Sequence, residues 1–257
     1  MKTQFRIVLV AAMCLAGSIA RSDDPAPEGE VLAMAGRLTF TLDQESGPLA
    51  VRFAGLDLPP DSSLDDWFDD NLVGQRVRLI LASPEPDRYG RLIAQVYRLG
   101  EGAPVWLQQE LVEAGHVRVV SHADNFDYAE YLMRVEAEAR SAGRGLWADR
   151  AHRVRDTHPD ALAQDLDSVQ IVAGRVTSVA ELDSGRVYIN FGTDYRTDFT
   201  VRVDADDVPV FRARNLEPLE LEGRRVEVRG WLDEENGPMI RLDHPERLRF
   251  LDEAPPG

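Results

Sequence analysis

Two short stretches carry side chains that could do chemistry. VRFAGLDLPP, residues 51–60, sets Arg52 and Asp57 among the apolar Val51, Phe53 and Leu56. PDRYGR, residues 86–91, puts Arg91 after a Tyr89-Gly90 turn. Arginine presents a planar fork of N–H donors to an oxyanion. An aspartate can hold a hard cation or position a water. The same residues have a plainer reading. Arg52 and Arg91 can pair with acids such as Asp57 or Asp87, and Asp57 can cap the turn before Pro59-Pro60, which ends the strand. Arg52 and Asp57 are five apart, so an ideal strand sends them to opposite faces. They meet only if the chain bends, and Gly55 is the expected bend or bulge.

The elements that would position these residues are legible. Val31–Leu42, Leu49–Leu56, Arg76–Leu81 and Arg91–Tyr97 read as strands bounded by turn formers. Between the second and third, Ser62 and Ser63 can cap a helix whose Leu64, Trp67, Phe68 and Leu72 recur at helical spacing. A second helix fits Val105–Ala114, ended by Gly115. A third fits Tyr128–Ala142, with Leu132, Val135 and Ala139 on one stripe and Trp147 packing the end. Residues 149–167 turn polar and read as a linker. A second run of strands follows at Val169–Val179, Arg186–Asn190, Phe199–Val203, Arg225–Trp231, Met239–Arg241 and Arg247–Phe250, with one helix expected within Asp206–Asn215. The halves share an order of strands, helix and strands without a sequence repeat.

The stretch PDRYGRLIAQVYRLGEGAPVWLQQELVEAGHVRVV, residues 86–120, and the helix end AEARSAGRGLW, residues 137–147, resemble the staphylococcal nuclease family. VRFAGLDLPP resembles that family's V-R-L-x-G-I-D-x-P-E. The resemblance covers about residues 31–150 and implies an OB-type five-stranded barrel carrying three helices. It also implies phosphodiester hydrolysis of DNA or RNA, usually with calcium. On the matching positions, Arg52 and Arg91 take the roles of the two catalytic arginines. Asp57 takes that of a metal-binding aspartate, and Tyr89 that of a residue lining the nucleotide pocket. The family's glutamate falls on Pro60. Its other aspartate falls where MAGRLTF, residues 34–40, has Gly36-Arg37, and the aromatic expected near Ser121 is missing. Asp61 and Asp43, with Glu45 further along the first hairpin, are the candidate substitute acids. The positive half of the site is thus kept and the metal and base half mostly lost, so calcium binding is expected to be weak or absent.

The rest of the chain bounds the setting. Lys2 and Arg6 precede an apolar Ile7–Ala16, and Ser18-Ile19-Ala20 fits a cleavage site, so residues 1–20 read as a leader cut after Ala20 for export to the periplasm or beyond. The single cysteine, Cys14, lies inside that leader. The formal net charge is −16, and loss of Lys2 and Arg6 makes it more negative. That opposes long-range attraction to phosphate backbones or anionic lipid. No stretch is long and apolar enough to span a membrane. His116, His122, His152, His158 and His244 lack metal-ligand spacing, and neither a Ser/His/Asp order nor a phosphate loop is present. In RVYINFGTDYRTDFTVRV, residues 186–203, Tyr188, Phe191, Tyr195 and Phe199 interleave with Arg186, Arg196 and Arg202. Such a surface can stack single-stranded bases; the plainer reading is a core with solvated arginines. This stretch and residues 221–251 resemble an extra OB-like domain that follows a nuclease-like domain in some exported bacterial proteins.

The expected architecture is therefore mainly β. A linker at 21–30 precedes a nuclease-like domain at 31–150, a second linker at 151–168, an OB-like β-barrel domain at 169–252 and a tail at 253–257. The expected function is a catalytically weak or inactive nuclease-like protein that binds single-stranded nucleic acid or a protein partner. An active calcium-dependent nuclease with rewired carboxylates and an envelope assembly module are the alternatives.

Overall fold

The computed structural model describes residues 26–122 and 128–251. The leader, the first half of the first linker and the tail lie outside them. The first domain runs through strands β1 (Glu28–Gly36), β2 (Thr39–Leu42), β3 (Leu49–Phe53) and β4 (Leu56–Asp57), then helix α1 (Asp65–Asn71). β5 (Arg76–Leu81), β6 (Leu92–Arg98), β7 (Val105–Trp106), α2 (Leu107–Glu113), β8 (Arg118–Val119) and α3 (Ala129–Ser141) complete it. β1 pairs with β2, β2 with β3, β3 with β6 in parallel, β6 with β5, and β5 returns to β1. Five strands thus close into a barrel, which removes its open edges.

The expected strand Val31–Leu42 is a hairpin, because the chain turns at Arg37-Leu38. Leu38 is buried, so a turn residue there carries a strand's hydropathy. The expected strand Leu49–Leu56 divides at Gly55, whose φ of 71° is open to glycine at little cost. Val105 and Trp106 extend the sheet by pairing with Arg98 and Tyr97 before α2 begins. Ser63 Oγ accepts the Asp65 amide at 3.2 Å at the start of α1. Phe40, Phe53, Phe68, Leu111 and Leu132 form one core from barrel and helices together. Gly115 and Gly145 meet back to back: the Leu146 amide donates to the Gly115 carbonyl at 2.8 Å, and a Cβ on either glycine would strike the other segment's backbone.

The segment expected as a linker packs onto the second domain. Arg155 pairs with Asp165 at 2.7 Å, and Leu162 of the short α4 (Pro159–Leu162) is buried in the second core. Then come β9 (Ser168–Arg175), β10 (Ser178–Glu181), β11 (Val187–Asn190), β12 (Thr200–Val203), α5 (Val208–Ala213), β13 (Arg225–Glu234), β14 (Pro238–Leu242) and β15 (Leu248–Phe250). β9 and β10 are two parts of one bent strand. β10 pairs with β11, β11 with β12, β12 with β14 in parallel, β14 with β13, and β13 with β9. This is the pairing order of the first barrel, with α5 inserted where α1 stands in the first. Phe191 and Phe199 sit in this core with ring centroids 5.0 Å apart, which settles them as packing residues. No helix among the described residues is long and apolar enough to cross a membrane.

The two apolar cores are separate, and the joint between them is polar. The fully buried Arg229 of β13 donates to Glu136 of α3 at 2.9 Å, to the Val119 carbonyl at 2.9 Å and to Glu227 at 2.7 Å. Arg140 of α3 reaches Glu227 at 2.9 Å. Burial pushes the Glu227 carboxyl up, but Arg229, Arg140 and Arg249 together hold it down at about 2.

Candidate oxyanion site

The strand face opposite the core residues Phe40, Val51 and Phe53 gathers the arginines. Arg52 on β3 is the register partner of Thr39 on β2 and of Ile93 on β6. Register partners share a sheet face, and Arg91 lies two residues before Ile93, so Thr39, Arg52 and Arg91 point the same way. Arg91 Nη1 donates to Thr39 Oγ1 at 3.4 Å.

Asp87 explains the turn that aims Arg91. Its Oδ1 accepts the amides of Tyr89 and Arg91 at 2.9 and 3.0 Å, an Asx-type closure. Its Oδ2 accepts Nε and Nη2 of Arg91 at 2.8 and 2.6 Å. Burial raises the Asp87 carboxyl, and the bonds from Arg91 and Tyr89 bring it below its ordinary value. Tyr89 stands exposed, with the guanidinia of Arg88 and Arg91 at 4.9 and 5.0 Å from its ring.

Arg52 is different. Its guanidinium makes no hydrogen bond or ion pair among the described residues. Burial, then the like charge of Arg91, push its pKa down, while Asp57 and Asp87 oppose them. A half-buried guanidinium facing a second guanidinium favours an anion between them.

The bend at Gly55 brings Asp57 to the same region. Asp57 on β4 is the register partner of Arg118 on β8. Burial raises its carboxyl above the ordinary range, and Arg118, Arg52 and Arg37 pull it only part of the way back. Arg118 carries no motif signal in the sequence, where the alternation of HVRVV marks it only as a strand residue. It is buried, and donates to the Val169 carbonyl of the second domain at 2.7 Å and meets His152 Nδ1 at 3.2 Å. Arg37, at the hairpin turn, reaches over residues 59–62. It donates to the Pro60 carbonyl at 3.0 Å, to the Ser62 carbonyl at 2.8 Å and to the Pro59 carbonyl.

Of the candidate substitute acids, Asp61 lies close enough to Arg118 to act on its charge, while Asp43 and Glu45 lie elsewhere. Asp61 meets His152 Nε2 at 3.8 Å. Asp43 follows the far end of β2, four residues and about 13 Å from Thr39 along the strand, and its amide is held by the Glu30 carbonyl at 2.8 Å. Glu45 follows Asp43, beyond that same end. Calcium takes six to eight oxygens, with carboxylates to balance its charge. Around Asp57 the charged neighbours are guanidinia, and no group of three or more His, Cys, Asp or Glu that could hold a metal occurs among the described residues. This donor set does not suit a calcium ion.

The second domain occupies the region of the missing aromatic. His244 Nε2 meets Ser121 Oγ at 2.8 Å and His244 Nδ1 meets Asp243 Oδ1 at 2.6 Å, while Arg247 donates to the Ser121 carbonyl at 2.9 Å. This Ser–His–Asp series crosses the domain joint, which no sequence spacing shows. Ser121 is 1% and His244 0% exposed, and the void beside Ser121 is about 10 Å3, so the series docks the domains and admits no substrate.

Residues 64–149 match the family described as Staphylococcal nuclease homologue. The chain is also similar to Thermonuclease of Staphylococcus hyicus, with 25% identity over 122 residues, 43% of this chain and 70% of that protein. With the closed five-stranded barrel and its helices, these matches identify the first domain of this chain as staphylococcal nuclease-like.

Proposed function

We infer that the first domain binds phosphodiester oxyanions of nucleic acid at Arg52 and Arg91, and that it hydrolyses them weakly or not at all. The observation that carries this reading is the Arg52 guanidinium, half-buried beside Arg91 and given no acceptor by the described residues. An oxyanion between the two relieves their repulsion and supplies charge-assisted bonds. Tyr89 offers an exposed ring beside them for a base or sugar. Hydrolysis needs a further group to activate water. At the site Asp87 is taken by Arg91, burial favours the neutral form of Asp57, and Pro60 stands where the family has its glutamate. Calcium has no adequate seat in this reading. The acidic chain repels nucleic acid at a distance, so binding is local and weakened by salt. The leader-like pattern of residues 1–20 supports export.

The test pairs cleavage with binding on the protein lacking residues 1–20. Single-stranded DNA, duplex DNA and RNA are incubated with calcium, magnesium, manganese or chelator, and a labelled single strand is titrated by anisotropy. The reading predicts salt-sensitive binding that Arg91→Ala weakens, with no cleavage above that variant. Metal-dependent cleavage lost in the variant would establish a working nuclease. Absence of both would turn attention to protein contacts and an assembly role.

A further inference from the structure

The two departures from the family pattern, Arg37 for an aspartate and Pro60 for the glutamate, touch each other. Arg37 Nη1 donates to the Pro60 carbonyl at 3.0 Å. Its Nη2 donates to the carbonyls of Ser62, at 2.8 Å, and Pro59. Asp57 feels the same positive charge. Three main-chain carbonyls thus converge on a single cationic group, and Asp57 lies within reach of its field. Carbonyl and carboxylate oxygens are what a hard cation recruits. Here the cation is a side chain. A guanidinium has five N–H donors, keeps its charge at any working pH, and cannot be removed by a chelator. Proline suits the loop it holds, because Pro59 and Pro60 have no amide N–H and present carbonyls alone. The hairpin turn at Arg37-Leu38 delivers the guanidinium from one side and the β4 exit delivers the carbonyls from the other.

We propose that Arg37 is a resident cation standing in for a divalent metal, so that the oxyanion site is assembled and positively charged without calcium. The inference rests on the oxyanion reading of Arg52 and Arg91, and it adds what sets the metal requirement of that site. Charge and loop position come from one residue: Arg37 holds residues 59–62 in place and adds positive field beside Asp57, as a bound cation would.

The probe is a labelled single-stranded oligonucleotide, titrated by anisotropy in millimolar calcium and in chelator, beside thermal melts in both buffers. Wild type is expected to bind within about twofold in the two buffers, with an unchanged Tm. Arg37→Gln, which removes the cation and adds no acid, is expected to weaken binding about tenfold, the size of one charge-assisted contact. Arg37→Asp, which restores an acid opposite Asp57, is expected to gain a calcium-dependent rise in Tm that wild type lacks. A wild type that needs calcium to bind, or an Arg37→Gln protein that binds like wild type, would overturn the proposal. Should both Arg37 variants fail to fold, the two wild-type titrations still decide it. Arg52→Ala separates the two levels: if it binds as wild type does, the oxyanion reading itself falls, whereas loss in Arg52→Ala without loss in Arg37→Gln removes only the role of Arg37.

Discussion

The two barrels share a pairing order and each puts an arginine on the matching strand of its parallel pair, Arg52 on β3 and Arg202 on β12, yet they treat it oppositely. In the first, Arg52 on β3 has no acceptor among the described residues and feels the charge of Arg91, which stands just before β6. In the second, Arg202 on β12 is the register partner of Arg241 on β14. There Asp204 collects Arg202 at 3.0 Å, Arg186 at 3.3 Å and Arg241 at 3.5 Å, and Glu235 takes Arg202 as well. The first barrel leaves Arg52 open while Asp87 holds Arg91, and the second cancels Arg202 with acids two and thirty-three residues on in sequence. A basic strand in a small barrel is therefore no sign of anion binding until its acids have been placed.

The joint between the barrels is a third use of arginine, as a buried strut, and it should give the largest effects. Glu136→Gln leaves Arg229 buried with half its charge partners, and should cost about 3–5 kcal/mol in a denaturant melt. Acid should act on the same joint. Glu227 sits at about 2 in the folded protein against an ordinary 4.5, so the folded state binds fewer protons than the unfolded one. Its stabilisation, about 3 kcal/mol, is complete above pH 4.5 and is lost as pH falls toward 2. Melting across that window should show the fall, and Glu227→Gln should flatten it.

The next effects separate the barrels directly. Arg52→Ala should weaken oligonucleotide binding about tenfold to a hundredfold while the Tm stays near wild type, because no internal bond is lost. Arg202→Ala should do the reverse, lowering stability by about 1–3 kcal/mol with binding unchanged. Arg241→Ala should be the mildest. That side chain is mostly exposed and its contact with Asp204 is long, so neither readout should move by more than about 1 kcal/mol.

Much of this was written locally in the sequence. Period-two runs and glycine turns give the strands, the Leu64–Leu72 spacing gives α1, and the Leu132, Val135, Ala139 stripe gives the buried face of α3. Asp87 and Arg91 are four apart, so their turn is readable. What stayed hidden depends on distant partners. Glu136 falls on the buried stripe of α3 and looks like a misplaced charge until Arg229, 93 residues later, is seen to meet it. Ser121 and His244 are 123 residues apart, and neither has a local pattern. Arg37 reads as a lost aspartate, and its three carbonyl partners emit no sequence signal, because any residue supplies a carbonyl.

The most direct test of the open-versus-cancelled distinction is one anisotropy experiment in chelator, with a labelled single strand titrated into wild type, Arg52→Ala and Arg202→Ala. Wild type and any folded Arg202→Ala protein should bind with equal affinity, and Arg52→Ala should be weaker by about tenfold or more. Equal binding by wild type and Arg52→Ala, or loss confined to Arg202→Ala, would contradict that distinction.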